Sequence, residues 1–161
     1  MEKILVVDDE HFVREFVKDA LTEALYDVIE AENGNEGVIK AVREVPDLII
    51  LDIVMPEMDG IEVCKQIRET VACRNTPIIM HTSMDESRLI EKAMKAGASD
   101  YMLKPIKAEM LLIRVKNNLR LVTEIKNNSA LREELETANN VIDALNEKIS
   151  SSQIIDLSDE V

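Results

Sequence analysis

Short apolar runs alternate with longer amphipathic segments along the first 120 or so residues of the chain. The short runs are rich in Val, Ile and Leu and read as buried strands, whereas apolar residues recurring every three or four positions predict helices. The predicted strands are residues 3–7, 27–32, 47–51, 77–81 and 100–103, and the predicted helices are residues 12–25, 35–44, 60–69 and 86–96.

This five-fold alternation of strand and helix predicts an α/β fold with a doubly wound, five-stranded parallel sheet. In such sheets, ligands bind beyond the carboxyl ends of the strands. The residues at those ends have polar or charged side chains suited to a chemical site rather than to core packing. They are Asp8 and Asp9 after the first strand, Asp52 after the third, Thr82 after the fourth and Lys104 after the fifth.

The last predicted helix begins near Ile106 or Lys107 and is unusually long. Residues 107–149 contain no Pro and no Gly, and a helical pattern of this length suggests a coiled coil. Between its two apolar halves, residues 124–130 break the phase, so that either Asn128 fixes the register or a hinge forms. The apolar stripe consists of Leu112, Val115, Leu119 and Val122, then Leu131, Leu135, Ala138, Ile142, Leu145 and Ile149.

The predicted organisation is therefore a domain over residues 1–120, an extended fifth helix over residues 107–149 that forms a parallel homodimer, and a flexible acidic tail over residues 150–161. A helix folded back on its own domain is the alternative. It is less favoured, because a small domain offers little surface to such a long stripe.

Composition narrows the choice of partners. The chain has 161 residues with a formal net charge of -13, which argues against nucleic acid as a direct partner, since affinity for phosphate backbones comes from Lys and Arg. The N-terminus does not resemble a signal peptide and no apolar run is long enough to span a membrane. Cys64 and Cys73 are expected to be ordinary thiols, and the protein is expected to be cytoplasmic.

Several carboxylates at one edge of the sheet repel each other and call for a cation. Mg²⁺ prefers oxygen ligands and binds with one or two carboxylates, while Lys104 suits a phosphate oxygen. A carboxylate such as Asp52 can also act as a nucleophile and form an aspartyl phosphate. Together with the Thr82 hydroxyl, these residues predict a phosphoryl-acceptor site.

Taken singly, these residues have ordinary explanations, and so do the two histidines. Acidic pairs often cap the next helix, and His11 is expected to be a helix-start residue. His81 is expected to be a satisfied or half-exposed histidine, although a role in tuning the site is possible. A haloacid dehalogenase-like phosphatase is disfavoured because its second Asp would fall on Val54, and a flavin-binding protein is disfavoured because DDEHF is not a phosphate loop.

Residues 1 to about 120 resemble the receiver domain of two-component response regulators. The resemblance rests on ILVVDDE, DLIILDIVMPEMDG, PIIMHTS and AGASDYMLKP and on the NG turn at 33–34, in the family's order and spacing. It implies a flavodoxin-like receiver fold, Asp52 as the phosphorylated residue and a sensor histidine kinase as the phosphate donor.

The resemblance also assigns roles to the remaining residues. Asp9, Asp52 and the backbone carbonyl of Val54 would bind Mg²⁺ directly, with Asp8 acting largely through water. Thr82 and Tyr101 would form the switch pair, and Lys104 would contact the phosphoryl oxygens, with a cis bond to Pro105. Because Val54 and Met84 cannot orient a water molecule, slow loss of the phosphoryl group is predicted.

The predicted function is a phosphorylation-controlled switch rather than an enzyme, with its signal carried by the face of the fourth helix, fifth strand and fifth helix and by the dimeric coiled coil. One alternative is a dimeric scaffold that works without phosphorylation. Another is the receiver part of a regulator whose output domain, such as a cyclic-dinucleotide enzyme, lies outside this chain.

Overall fold

The computed structural model describes residues 1–83 and 87–156. Contacts within the chain divide it into two units, Met1–Leu121 and Val122–Val161. The first unit contains a five-stranded sheet with the strand order β2-β1-β3-β4-β5, in which every neighbouring pair is parallel. The predicted doubly wound parallel sheet is therefore confirmed.

Strands and helices alternate along the first unit as the hydrophobic pattern predicted. The elements are β1 (Lys3–Val7), α1 (His11–Glu23), β2 (Asp27–Ala31), α2 (Gly34–Glu44), β3 (Leu48–Asp52), α3 (Gly60–Glu69), β4 (Ile78–Thr82), α4 (Ser87–Lys95), β5 (Asp100–Leu103) and the long α5 (Ala108–Asp156).

The sheet is buried on both faces by aliphatic side chains. Successive residues of a strand point to opposite faces, so Leu5 and Val7 join one core with residues of α2, α3 and α4. Ile4 and Val6 join a second core with residues of α1 and α5. This double burial explains the uninterrupted apolar runs and leaves the strand ends as the place for polar chemistry.

Helix ends are set by local side chains and by one glycine. The Asn33 side chain accepts a hydrogen bond from the Glu36 N–H at 2.9 Å, which caps the start of α2. Gly97, predicted to end the fourth helix in a left-handed conformation, has φ +107°. A Cβ there would lie 2.9 Å from Arg68 Nε, a contact that the flexible arginine could relieve by shifting, so the positive φ is what requires glycine.

In the described residues, α5 is one continuous helix that ends at Asp156. The stop predicted after Ile149 is therefore wrong for the backbone, since "SSSQIID" continues the helix. Residues 124–130 are helical as well, without a break in the chain. The predicted mobility of residues 150–161 stays a prediction, and residues 157–161 lie outside the described part.

The early part of the predicted stripe belongs to the core of the first unit. Val115 is fully buried, and Leu112 and Leu119 pack partly against the same core as Ile79 and Met102. Beyond that point the apolar side chains lie at the surface. The exposed ones include Ile125, Leu131, Leu135, Val141, Ile142 and Leu145.

None of the helices in the described part of the chain is both long enough and apolar enough to cross a bilayer.

Candidate functional site

Asp52 ends β3 and is almost fully buried, with 2 % of its surface exposed. The Val54 N–H donates to Asp52 Oδ1 at 3.3 Å, and the Gly60 N–H donates to the Ile53 carbonyl at 2.9 Å. A Cβ at Gly60 would lie 2.1 Å from the Asp52 carbonyl oxygen. The loop after β3 therefore returns so closely to the strand end that only glycine fits, and this holds Asp52 in place.

Lys104, which follows β5, brings three carboxylates together. Its Nζ lies 3.1 Å from Asp8 Oδ2, 3.2 Å from Asp52 Oδ2 and 2.9 Å from Glu10 Oε1. Its backbone N–H donates to the Thr82 carbonyl at 2.8 Å, which ties the lysine to the end of β4. The Lys104–Pro105 bond is cis, as the resemblance implied. One ammonium group thus faces more negative charge than it can neutralise.

The electrostatics of the site follow from burial and from this crowding. Burial, and then the neighbouring charge of Asp8, raise the pKa of Asp52 to about 6, against the opposing effect of Lys104. Burial also raises the pKa of Asp8 against the Glu10 backbone N–H and Lys104. For Lys104, burial lowers the pKa, but the hydrogen bond to Glu10 and the charges of Asp52 and Asp8 together outweigh burial. The pKa of Lys104 therefore lies above its ordinary value.

The donor set suits a divalent cation. Asp8 Oδ2 is buried and makes no well-aligned hydrogen bond in the described residues. The Lys104 ammonium lies 3.1 Å from it, so a cation that displaces the ammonium could bind this oxygen. Asp8 and Asp52 each offer an oxygen to a cluster whose ligand atoms lie within 4.8 Å of one another. Hard oxygen ligands of this kind fit Mg²⁺.

Asp9 and Val54, which the resemblance placed in the metal site, lie at its rim. The Asp9 side chain is exposed, and it lies outside the cluster of potential ligands that includes Asp8 and Asp52 among the described residues. Val54 is 51 % exposed, and its N–H rather than its carbonyl contacts Asp52. Their roles as direct ligands stay predictions.

The predicted switch pair occupies adjacent strands. Thr82 is the last residue of β4 and is fully buried. Tyr101 lies on β5, where its register partner is Met80, and it is 36 % exposed. Met84, the second residue of the dephosphorylation prediction, lies outside the described residues.

His81 differs from what the sequence predicted. It is fully buried rather than half-exposed, and neither ring nitrogen has a hydrogen-bond partner in the described residues. Its Nε2 lies 3.4 Å from Asp8 Oδ2, and its register partner on β3 is Asp52. Burial, with a smaller effect of Lys104, lowers the pKa of His81 to about 3, so the ring is neutral.

Two further residues of the site were missed. Glu10 is the third carboxylate on Lys104. Arg14 on α1 donates from Nη1 to the Asp8 carbonyl at 2.7 Å, which holds the end of β1 in position. His11 is the first residue of α1, as predicted. In the sequence, the signal for Glu10 is its position two residues after Asp8, from which both carboxylates can reach one lysine. The hydrophobic pattern does not give the direction of a loop side chain, so this contact was not predicted.

Comparisons with known proteins agree with this geometry. A family model described as the response regulator receiver domain matches residues 4–116. The transcriptional regulatory protein ResD of Bacillus subtilis is 44 % identical over 122 residues, which cover 76 % of this chain and 50 % of ResD. The chemotaxis protein CheY of the same organism is 40 % identical over 118 residues, which cover 73 % of this chain and 97 % of CheY.

Solved structures show the same fold. The chemotaxis protein CheY4 of Vibrio cholerae has a TM-score of 0.70 at 34 % identity, and the match covers 73 % of this chain and 98 % of that one. A putative response regulator from Chloroflexus aurantiacus has a TM-score of 0.71 at 34 % identity, and its match covers 74 % of this chain and 98 % of that one. The chain spans about half the length of the transcriptional regulators it matches.

Proposed function

This chain belongs to the response regulator receiver domain family, and on that premise we propose that it is a phosphorylation-controlled switch whose phosphoryl acceptor is Asp52. The observation that carries the proposal is the buried Asp52 carboxylate with the Lys104 ammonium 3.2 Å from its Oδ2. No structural need explains a buried carboxylate at the end of a strand, whereas a nucleophile beside a cation has a chemical use.

The proposed reaction is a single displacement at phosphorus. A carboxylate oxygen of Asp52 forms a bond to the phosphorus atom as the bond between phosphorus and the donor breaks. The electron pair of that bond leaves with the donor, and the product is an acyl phosphate on Asp52. Lys104 would turn from the carboxylates toward the phosphoryl oxygens and stabilise their charge.

Mg²⁺ is the proposed cofactor. The resemblance points to Asp9, Asp52 and the Val54 carbonyl as its ligands, with Asp8 acting through water. When bound, the ion would neutralise negative charge on the carboxylates and on the transferred group. The uncompensated charge of Asp8, Asp52 and Glu10 around Lys104 supports a need for such a cation.

The proposed output begins at Thr82 and Tyr101. A phosphoryl group on Asp52 would attract the Thr82 hydroxyl, and Tyr101 would turn inward from its partly exposed position, altering the face formed by α4, β5 and α5. The proposed phosphate donor is a sensor histidine kinase, and the second unit would form a parallel homodimer. Support for the dimer comes from exposed apolar side chains at heptad spacing, namely Leu131, Leu135, Ile142 and Leu145.

Intact-mass measurement tests the acceptor directly. The chain is incubated with Mg²⁺ and acetyl phosphate, and the mass should rise by one phosphoryl group. Asp52→Asn should show no increase, whereas Glu57→Gln, which removes an exposed carboxylate from the same loop, should behave as the wild type. Uptake by Asp52→Asn would contradict the proposal, and a dimer that takes up no phosphoryl group would support the scaffold alternative.

The lifetime of the phosphoryl group is a separate expectation. Val54 is apolar and half-exposed, and neither it nor Met84 can direct a water molecule at the acyl phosphate. After removal of the donor, the added mass should therefore persist well beyond seconds in Mg²⁺. Decay within seconds would show that another group positions water.

A further inference from the structure

His81 is the strongest unexplained feature of the site. It is a fully buried polar side chain whose two ring nitrogens have no hydrogen-bond partner among the described residues. Burying a polar group without a partner costs free energy. An orphaned group of this kind at a functional site calls for a ligand that the side chain would satisfy.

The ring is aimed at the carboxylates rather than at the apolar core. Its Nε2 lies 3.4 Å from Asp8 Oδ2, and Nε2 or Nδ1 of His81 falls within 4.8 Å of the oxygens offered by Asp8 and Asp52. Two ligands of one tetrahedral zinc-like ion with bonds of 2.0–2.1 Å lie roughly 3.4 Å apart. The Asp8–His81 separation therefore matches two donors to a single ion.

We propose that His81 supplies a nitrogen ligand, together with Asp8 and Asp52, to a divalent ion of the transition series. The inference deepens the proposed function, because it rests on a divalent cation binding at the phosphoacceptor site. A site built from oxygen alone favours Mg²⁺, whereas a neutral imidazole favours ions such as Co²⁺, Ni²⁺ and Zn²⁺. The chain would then bind such an ion more tightly than oxygen ligands alone would allow.

Lys104 is the competitor within the chain. Its ammonium already contacts Asp8 Oδ2 and Asp52 Oδ2, so an ion held by these oxygens would displace it. The ammonium makes no hydrogen bond to His81, since neither ring nitrogen has a partner in the described residues. Among Asp8, Asp52 and His81, the imidazole is thus the ligand that a metal ion could bind and that Lys104 does not contact.

Nuclear magnetic resonance with Co²⁺ as the probe tests the ligand directly. The untagged full chain is titrated with Co²⁺, and resonances of a coordinated imidazole are expected far outside the normal proton range. The sequence has two histidines, His11 and His81, so His11→Asn is the matched control. The shifted resonances should remain in that control and vanish in His81→Leu.

Calorimetry supplies the second readout. Loss of a metal-site partner typically costs tenfold or more in affinity, so His81→Leu should weaken Co²⁺ binding by about tenfold or more. Mg²⁺ affinity, measured in parallel, should change much less. The variant's fold is checked by circular dichroism, but the wild-type spectrum is decisive even if His81→Leu does not fold.

Two results would overturn the inference. One is a wild-type chain that binds Co²⁺ without any shifted imidazole resonance, and the other is a folded His81→Leu chain that binds Co²⁺ as tightly as the wild type. Phosphoryl uptake by the wild type in Mg²⁺ separates the two proposals. Phosphoryl uptake without imidazole coordination of Co²⁺ would refute only the nitrogen ligand. Imidazole coordination without phosphoryl uptake would refute the acceptor function and leave the metal site standing.

Discussion

The same aliphatic side chains serve opposite purposes in the two units of this chain. In Met1–Leu121, residues such as Ile50, Leu111 and Val115 are fully buried in the second core of the sheet. Between Val122 and Lys148, none of the side chains is buried, although Leu135 and Ile142 are as apolar as those of the first unit. Leu111 and Leu135 even lie on one helix, α5.

The difference shows where each unit obtains its stability. The first unit buries the apolar residues of its central strands within one chain, and four of its buried polar residues, Asp8, Asp52, His81 and Thr82, lie at or beside the candidate site. The second unit leaves a regular apolar stripe exposed, and a stripe of this kind is stabilised by packing against another helix. On the proposed function, chemistry and association would therefore reside in different parts of the sequence.

Truncating one large side chain in each unit should give the largest contrast. Ile50→Ala creates a cavity in a packed core and should lower the free energy of unfolding of the receiver by about 2–5 kcal/mol. Leu135→Ala changes only the second unit and should alter the free energy of unfolding of the receiver by less than about 0.5 kcal/mol. Urea denaturation followed by circular dichroism measures both, and equal losses would erase the distinction between the units.

Removing the buried charge should have the next largest effect, and it should depend on pH. Because the folded pKa of Asp52 is about 6 against an ordinary value of 3.8, the folded state holds this proton more tightly than the unfolded state. The contribution of Asp52 to stability therefore falls as pH rises from about 4 to about 6, and it stays low above that range.

Asp52→Asn should accordingly stabilise the metal-free fold by about 1–3 kcal/mol at pH 7, since one pKa unit is about 1.4 kcal/mol. The advantage should shrink as pH falls toward 4, where Asp52 is protonated in the folded wild-type chain and begins to be protonated in the unfolded one. Denaturation midpoints across this pH range give the comparison. A stabilisation of equal size at both ends would show that charge burial is not its cause.

A smaller contrast concerns side-chain hydrogen bonds to the helix backbone. Asn33 caps α2 in the first unit, and Asn33→Ala should cost about 1 kcal/mol of receiver stability. In the second unit the Ser129 hydroxyl donates to the Ile125 carbonyl at 3.0 Å within α5. Ser129→Ala should be neutral or slightly favourable to the helix, because this bond satisfies no backbone group that would otherwise lack a partner. Thermal unfolding of the two variants tests the pair.

The location of the site was predictable from the sequence because it follows from topology. Parallel strands end at one edge of a sheet, so the residues after each apolar run had to converge, and Asp8, Asp52, Thr82 and Lys104 do lie at strand ends. The contacts of Glu10 and Arg14 depend on the direction of a loop side chain and on the rotation of α1. Neither is encoded in hydrophobic periodicity.

His81 shows a subtler limit. His81 lies two residues after Ile79 on β4, so its side chain points to the same face of the sheet as Ile79, Ile50 and Asp52. Its direction could therefore have been predicted. Its burial could not, because exposure at a strand end depends on which neighbouring side chains cover it. For the same reason, the sequence could not show which apolar residues of α5 are buried. The same helical periodicity runs through Val115, which is in the receiver core, and Leu135, which is exposed.

Native mass spectrometry of the full chain, after incubation with acetyl phosphate and Mg²⁺, tests this division of roles most directly. It reports stoichiometry and phosphoryl content together. The comparison uses Leu135→Glu with Ile142→Glu, which places charge on the apolar stripe, and Thr137→Glu with Asn140→Glu, which adds equal charge to the polar face. We predict a phosphorylated dimer for the wild type and the polar-face variant, and a phosphorylated monomer for the stripe variant. A stripe variant that stays dimeric, or that no longer accepts a phosphoryl group, would contradict the account.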